Sequence, residues 1–437
     1  MAVDQAERVS ARRVFALAMP ALGVLAAEPL YVLVDTAVVG HRGALALAGL
    51  ALGGLMLTVV STGLTFLSYG TTARTARLYG SGRRIDAVAE GAQATWLAFA
   101  LGLVVLVAGQ CLAEPVARLL AGDTAVSAAA VGWLRIALFG APFILVSMAG
   151  NGWMRGVQDA RRPLYYVTLG NGLSAALLPP LVHGAGAFGG WGLAGSAVAN
   201  VVAQTVSAGL FLRALLRERA PLRPRAGAIR AQVRLGRDLV VRTLAFQACF
   251  TSALAVASRT STDTVGAHQV VLQLWNLLSL VLDSLAIAAQ SLIGAALGAG
   301  RDDQARALAW RVAGYGLVFG VGLGLAFASL SGILPTVFTT APGVLAEIPH
   351  AWWFFVVLQP VAGVVFALDG VLLGAGDARF LRTATLAAAV LGFLPLVWLS
   401  LILHWGLAGI WLGLSAFMLL RLAAGLLRAR SGRWAVP

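Results

Sequence analysis

Charged residues are scarce in this chain of 437 residues: they make up only 11% of it, whereas soluble proteins contain about 25%. Lysine is absent altogether, so all 32 basic residues are arginine. Hydrophobic residues reach 59%, and the mean hydropathy is +0.85. This composition excludes an ordinary soluble domain and predicts an integral membrane protein with many spans.

The residue groups that perform soluble enzyme chemistry are also missing. The two cysteines, Cys111 and Cys249, lie in separate apolar segments. Their spacing is not that of a metal site, and we do not expect them to form a disulfide. The five histidines are scattered, and no Ser/His/Asp group or phosphate-binding loop is present. We therefore predict a protein that is not an enzyme, that needs no cofactor or metal, and that does not use ATP directly.

Apolar segments bounded by Gly, Pro and Arg clusters can be counted along the whole chain. About 20 residues suffice to cross a bilayer as a helix. The segments predict an all-α membrane protein with twelve transmembrane helices. They cover residues 14–39, 46–72, 88–113, 128–152, 163–183, 191–214, 238–258, 267–297, 307–334, 346–373, 380–403 and 405–427.

The distribution of arginine predicts the orientation of these spans. If the spans alternate in direction, 28 of the 32 arginines lie on the side of the N-terminus. The positive-inside rule then places both termini in the cytoplasm. Because membrane topology accounts for the net charge of +14, the charge does not indicate a nucleic-acid partner. The four arginines of the opposite side are Arg42, Arg118, Arg135 and Arg259.

Three short motifs recur in the same order in the two halves of the chain. Gly80-Ser81-Gly82-Arg83 returns as Gly298-Ala299-Gly300-Arg301, and Gly156 to Arg161 resembles Gly374 to Arg379, both at an offset of 218 residues. Trp191 to Gly195 returns as Trp405 to Gly409 at an offset of 214. Six spans per half predict two six-helix lobes related by a pseudo-two-fold axis along the membrane normal. The predicted divisions are an N-terminal lobe of residues 1–218, an Arg-rich cytoplasmic linker of 219–236 and a C-terminal lobe of 237–437.

The first span contains two carboxylic acids, Glu28 and Asp35, with Pro29 between them. Each acid costs roughly 2.5 to 3.5 kcal/mol near the centre of a membrane helix, so both should face a polar cavity. Seven residues are close to two helical turns, so the two acids share one face, about 10 Å apart. We interpret them as cation- or proton-coupling residues, the alternative being that both are hydrogen-bonded structural anchors.

Other polar side chains inside spans are candidates for the lining of a cavity. The polar residues of the fifth and sixth spans are expected to face Asp35. They are Asn171, Ser174, Asn200 and Gln204. A stripe at seven-residue intervals along the eighth span either lines a cavity or seals a helix interface. Asp369, on the tenth span, matches Asn151 in the repeat, which leaves a symmetric packing role open. The stripe consists of Gln269, Asn276, Asp283 and Gln290.

The set of motifs resembles the multidrug and toxic compound extrusion (MATE) family, DinF-like branch. The resemblance rests on Glu28-Pro29-Leu30, on Val34 to Gly40, on Arg155 to Asp159 and on Leu368 to Asp377, and it covers nearly the whole chain. It implies a V-shaped twelve-helix fold and drug efflux driven by inward flow of H⁺ or Na⁺. It also implies that Asp35 couples the ion, with Tyr31 one turn before it. Relatives often carry an acid before a proline of the fifth span, where this chain has Ala175 to Pro180.

The leading hypothesis is therefore a monomeric antiporter that exports small amphipathic organic compounds across a bacterial cell (inner) membrane. The lipid bilayer is its other partner, and H⁺ or Na⁺ is the coupling ion. A flippase for a lipid-linked precursor is the alternative within transport, although such proteins usually carry basic residues in a central cavity. A membrane-embedded enzyme or a receptor is the alternative from another class.

Overall fold

The computed structural model describes residues 11–185 and 189–435, and most of these residues are helical. The helices are α1 (Ala11–Gly40), α2 (Ala44–Gly63), α3 (Phe66–Gly80), α4 (Arg84–Leu120), α5 (Thr124–Ala137), α6 (Ala141–Gly156), α7 (Arg161–His183), α8 (Leu193–Arg217), α9 (Ala226–Thr260), α10 (Thr262–Gly298), α11 (Asp302–Ser329), α12 (Leu334–Phe338), α13 (Pro342–Gly374), α14 (Ala378–Ala388), α15 (Leu394–Ile402) and α16 (Gly406–Ser431). One π-helical turn, Ala389–Phe393, joins α14 to α15.

Eleven helical segments of the described residues are long and apolar enough to cross a membrane. The fifth predicted span corresponds to α7, which has 23 residues and is made less apolar by residues such as Asn171. The prediction of an all-α membrane fold is confirmed.

The repeated motifs form equivalent turns at the ends of four helices. Gly82 and Gly300 have φ angles of 77° and 69°, and Gln158 and Gly376 have φ angles of 63° and 76°. In each turn, the amide of the next residue donates to a carbonyl five positions earlier, as from Arg83 to Leu78 at 3.1 Å. This bond satisfies a carbonyl that the end of the helix leaves free. The left-handed backbone explains why glycine stands at three of the four positions.

The chain divides into two compact units. The N-terminal unit consists of residues 19–236, and the C-terminal unit consists of 237–435 together with the first two turns of α1. In the N-terminal unit, one apolar core includes Trp133, Leu178 and Val182. In the C-terminal unit, the core includes Trp352 and Trp411.

Glycine allows helices of the C-terminal unit to approach one another closely. A Cβ atom built on Gly316 of α11 would lie 2.2 Å from the carbonyl oxygen of Gly363 on α13. A Cβ atom on Gly370 would lie 2.2 Å from the carbonyl oxygen of Ala286 on α10. Small residues at such crossings are typical of membrane helices, which associate mainly through close packing.

Candidate functional site

One face of α1 carries the central residue of the candidate site. Tyr31, Asp35 and Val39 are spaced four residues apart, and all three are buried in the N-terminal unit. Asp35 is 5% exposed. Glu28 and Pro29, one turn before Tyr31, are accessible to solvent. Asp35 is therefore buried, whereas Glu28 can be reached by water.

A short chain of hydrogen bonds from three helices ends at Asp35. Ser196 Oγ of α8 donates to Asp35 Oδ1 at 2.7 Å. Trp133 Nε1 of α5 donates to Ser196 Oγ at 3.2 Å. Because the indole fills an acceptor position of the hydroxyl, the Ser196 proton is directed toward the carboxyl.

The hydroxyl of Tyr31 forms the second part of the site. Ser174 Oγ of α7 donates to Tyr31 Oη at 3.0 Å. Asn200 lies one turn after Ser196 on α8 and is 6% exposed. Within the described ranges, the Asn200 Oδ1 and Asn171 Nδ2 atoms are buried without a hydrogen-bond partner. Polar atoms from α1, α7 and α8 therefore surround one region of the unit.

An apolar core lies beside this group of polar side chains and includes Tyr31 itself. Val39, Leu178 and Val182 are fully buried in the same core. No cation of the described residues forms an ion pair with Asp35 or Glu28. An unpaired carboxylate inside a membrane protein carries an electrostatic cost, which a bound proton or small cation removes. A proton or a small cation at Asp35 would therefore be stabilised by this carboxyl.

The C-terminal unit does not repeat this site. At the offset of 218 residues, Tyr31 corresponds to Cys249 and Asp35 to Ala253. At the offset of 214, Ser196 corresponds to Ile410. All three counterparts are buried and nearly apolar. The polar chemistry around Asp35 therefore belongs to one half of the repeat.

The polar stripe of α10 lies in the C-terminal unit and changes its exposure along the helix. Gln269 and Asn276 are exposed on the unit, Asp283 is half-buried and Gln290 is buried. The candidate residues thus divide into two groups. Glu28, Tyr31, Asp35, Asn171, Ser174, Asn200 and Gln204 lie in the N-terminal unit, and the stripe and Asp369 lie in the C-terminal unit.

Asp369 is the centre of an ion-pair cluster. Arg242 Nη2 of α9 and Arg421 Nη2 of α16 both donate to Asp369 Oδ2. Arg421 is 6% exposed. Its guanidinium lies 4.8 Å from the ring centroid of Phe246 and 5.3 Å from that of Phe417. We call Arg242, Asp369 and Arg421 the arginine triad.

Sequence reasoning missed four residues that contact the candidates. Ser196 and Trp133 lie more than 90 residues from Asp35 in the sequence. A neutral serine or tryptophan in a membrane span does not by itself indicate a functional site. Ser196 directly follows the repeated Trp191 to Gly195 motif, whereas Ile410 stands at the equivalent position of the second half. This difference between the two halves is the sequence feature that could have identified Ser196 as a candidate. Arg242 and Arg421 were counted with the cytoplasmic arginines, whereas the structure buries most of both side chains. Among the described residues, no group of three or more His, Cys, Asp or Glu is arranged to hold a metal ion.

Comparison with known proteins places the chain among transporters. The MatE family model matches residues 20–180 and 239–398, so each half of the repeat contains one match. Protein DETOXIFICATION 44, chloroplastic, of Arabidopsis thaliana is 33% identical over 96% of this chain and 83% of its own. DNA damage-inducible protein F of Escherichia coli (strain K12) is 30% identical over 93% of this chain and 89% of its own.

Solved structures agree with the fold. A crystal structure described as MATE in the bent conformation has a TM-score of 0.88 at 18% identity and covers 97% of this chain and 96% of that one. A structure described as the outward-facing conformation of a multidrug resistance MATE family transporter of the MOP superfamily has a TM-score of 0.85 at 20% identity and covers 96% and 95%. At these identities the likeness concerns the fold alone.

Proposed function

Because this chain belongs to the MatE family, whose members are membrane transporters and not enzymes, we propose that it is a secondary active antiporter. It exports small amphipathic organic compounds by alternating access and takes up H⁺ or Na⁺ in exchange. The observation that carries the proposal is the buried Asp35, which accepts a hydrogen bond from Ser196 and forms no ion pair within the described residues. We further propose that the protein lies in a bacterial cell (inner) membrane as a monomer, with both termini in the cytoplasm.

Coupling at Asp35 follows from competition for one negative charge. The ionised carboxylate attracts the positive group of an organic cation, and the Ser196 hydroxyl stabilises this form by donating to Oδ1. A proton or Na⁺ that reaches the same carboxyl removes the charge and weakens the hold on the substrate. Tyr31 and Ser174 supply neutral hydrogen-bonding groups one turn away, where they orient a bound ion or substrate.

Glu28 has a different role in this proposal. It lies on the surface of the unit, two helical turns from Asp35, and Pro29 follows it directly. A proline inside a helix removes one backbone hydrogen bond and favours a bend at that point. We propose that Glu28 attracts cations toward the site and that Asp35 binds them.

Transport by the purified protein in proteoliposomes tests the proposal. A pH gradient and a Na⁺ gradient are imposed separately, and movement of ethidium, a fluorescent organic cation, is recorded. We expect one gradient to drive ethidium transport in the wild type, Asp35→Asn to abolish it, and Glu28→Gln to reduce it less. Glu114→Gln is the matched control, because Glu114 is an exposed acid paired with Arg118. Wild-type transport by Asp35→Asn would show that Asp35 is a structural residue.

A further inference from the structure

The arginine triad contains more positive charge than its acid neutralises. One guanidinium suffices to balance Asp369, yet Arg242 and Arg421 both donate to the same carboxylate oxygen. The neighbouring acids are already paired, Asp238 with Arg237 and Arg382, and Asp377 with Arg428. The triad therefore retains a net charge of about +1, since an arginine side chain remains protonated in proteins.

This charge lies inside the transmembrane helices. Arg421 precedes the end of α16 by ten residues, which corresponds to about 15 Å of helix. Its side chain is 5% exposed. A charge in such a position is costly unless a counter-charge accompanies it. A bound oxyanion with one negative charge would neutralise the remaining positive charge of the triad.

Donors for an oxyanion are available in the triad. Each guanidinium has five N–H groups, and one of each is used by Asp369. Among the described residues, Arg421 Nη1 donates to the sulfur of Met418 at 3.5 Å. Arg242 Nε is buried and has no partner within the described part of the chain. Arginine donors in this fork arrangement match the two oxygens of a carboxylate.

The triad also offers an apolar surface and side chains that are partly accessible to solvent. Phe246 lies beneath both arginines, with its ring centroid 5.5 Å from the Arg242 guanidinium carbon and 4.8 Å from that of Arg421. Its ring is only partly buried. The side chains of Arg242 and Asp369 are 14% and 13% exposed, so both remain partly accessible to solvent.

The N-terminal unit has no equivalent of this cluster. At the offsets of the repeat, Arg242 corresponds to Val24, Asp369 to Asn151 and Arg421 to Ser207. A device that the fold required for packing would be expected in both halves. The charges are therefore specific to the C-terminal unit, as Asp35 is specific to the other unit.

We propose that the arginine triad binds the oxyanion group, a carboxylate or phosphate, of an amphipathic organic anion whose apolar part contacts Phe246. This inference rests on the proposed function, because it adds organic anions to the substrates that the exporter accepts. Arg242 and Arg421 hold the oxyanion, and Asp369 lies between the two guanidiniums and offsets their mutual repulsion when the site is free.

Equilibrium binding by the full chain in phosphatidylcholine nanodiscs tests the site. The probe is 2-naphthoate, and the matched cation is 2-naphthylmethylammonium, which has the same ring system and the opposite charge. We expect the wild type to bind 2-naphthoate and Arg242→Gln to weaken this binding at least tenfold. Arg242→Lys should restore part of it. Arg382→Gln, which removes a positive charge from an ion pair outside the triad, should leave it unchanged.

A second variant separates a binding site from general damage to the fold. Asp369→Asn removes the competing carboxylate and raises the local charge, so 2-naphthoate should bind about tenfold more tightly. Damage to packing would instead weaken binding in both Arg242→Gln and Asp369→Asn. Equal affinity for 2-naphthoate in the wild type, Arg242→Gln and Arg382→Gln would overturn the proposal, as would weaker binding in Asp369→Asn.

Two further measurements identify the source of the anion and keep the proposals distinct. If a lipid phosphate occupies the triad, replacing phosphatidylcholine by phosphatidylglycerol should weaken 2-naphthoate binding in the wild type, whereas a site for soluble anions retains its affinity. Both lipids are compared in about 1 M salt, where a Debye length of about 3 Å screens the surface charge of phosphatidylglycerol. Gradient-driven efflux of 2-naphthylmethylammonium by the wild type tests the antiporter separately. If efflux occurs but 2-naphthoate binding does not depend on Arg242, only the anion site is refuted. If efflux fails, the antiporter proposal is refuted, and the binding data still decide the anion site.

Discussion

Replacing Ser196 by alanine separates the two hydrogen bonds that its hydroxyl makes. The hydroxyl donates to Asp35 Oδ1 at 2.7 Å and accepts from Trp133 Nε1 at 3.2 Å. Ser196 is fully buried and Trp133 is 4% exposed, so water does not easily replace either partner. Ser196→Ala therefore weakens the ionised form of Asp35 and also leaves the indole N–H of Trp133 without an acceptor.

The two losses affect different measurements. A hydrogen bond to a charged group contributes about 1.5 to 3 kcal/mol. The hydrogen bond from Ser196 favours the ionised form of Asp35, which is the form that binds a cation, but only part of its free energy contributes to cation affinity. We therefore take the lower value of about 1.5 kcal/mol, which corresponds to about a tenfold change in Kd. The unpaired indole costs about 1 to 3 kcal/mol. Since this cost is the same with and without ligand, it lowers thermal stability and not affinity.

Binding of tetraphenylphosphonium, a permanent organic cation, to the protein in nanodiscs measures the first effect. We expect Ser196→Ala to weaken binding about tenfold, Ser196→Thr to retain most of the affinity, and Trp133→Phe to change it little. Thermal unfolding measures the second effect, and Ser196→Ala should melt earlier than Ser196→Thr. Wild-type affinity in Ser196→Ala would refute the role assigned to the Ser196 hydroxyl in holding Asp35 ionised.

Two further predictions concern packing and topology. Gly316→Ala should destabilise the C-terminal unit by about 1 to 3 kcal/mol, because its Cβ would lie 2.2 Å from the carbonyl oxygen of Gly363. Gly314→Ala is the control on the same helix, because a Cβ atom there would have no atom within 4 Å. Equal melting temperatures of the two variants would contradict the packing argument. A reporter fused after Arg433 should be cytoplasmic and one inserted near Gly343 external, and the opposite result for either would reject the proposed orientation.

Features that depend on local sequence or on simple counting could be predicted without a structure. The scarcity of charge and the length of the apolar segments are sufficient for an all-α membrane fold, because a helix satisfies its own backbone hydrogen bonds inside a bilayer. The repeated motifs predicted equivalent halves, and the left-handed turns at Gly82 and Gly300 follow from glycine at those positions. Asp35 was identifiable because a carboxyl inside a span is costly.

The partners of the polar residues were decided by tertiary structure. Ser196 lies 161 residues from Asp35, and Arg242 and Arg421 lie 127 and 52 residues from Asp369. Which side chains meet depends on the rotation and depth of each helix relative to its neighbours, and the periodicity of a single span does not contain this information. For the same reason, the sequence identified Glu28 and Asp35 as residues of one helix face, whereas the hydrogen bond from Ser196 of α8 to Asp35 depends on how the helices pack.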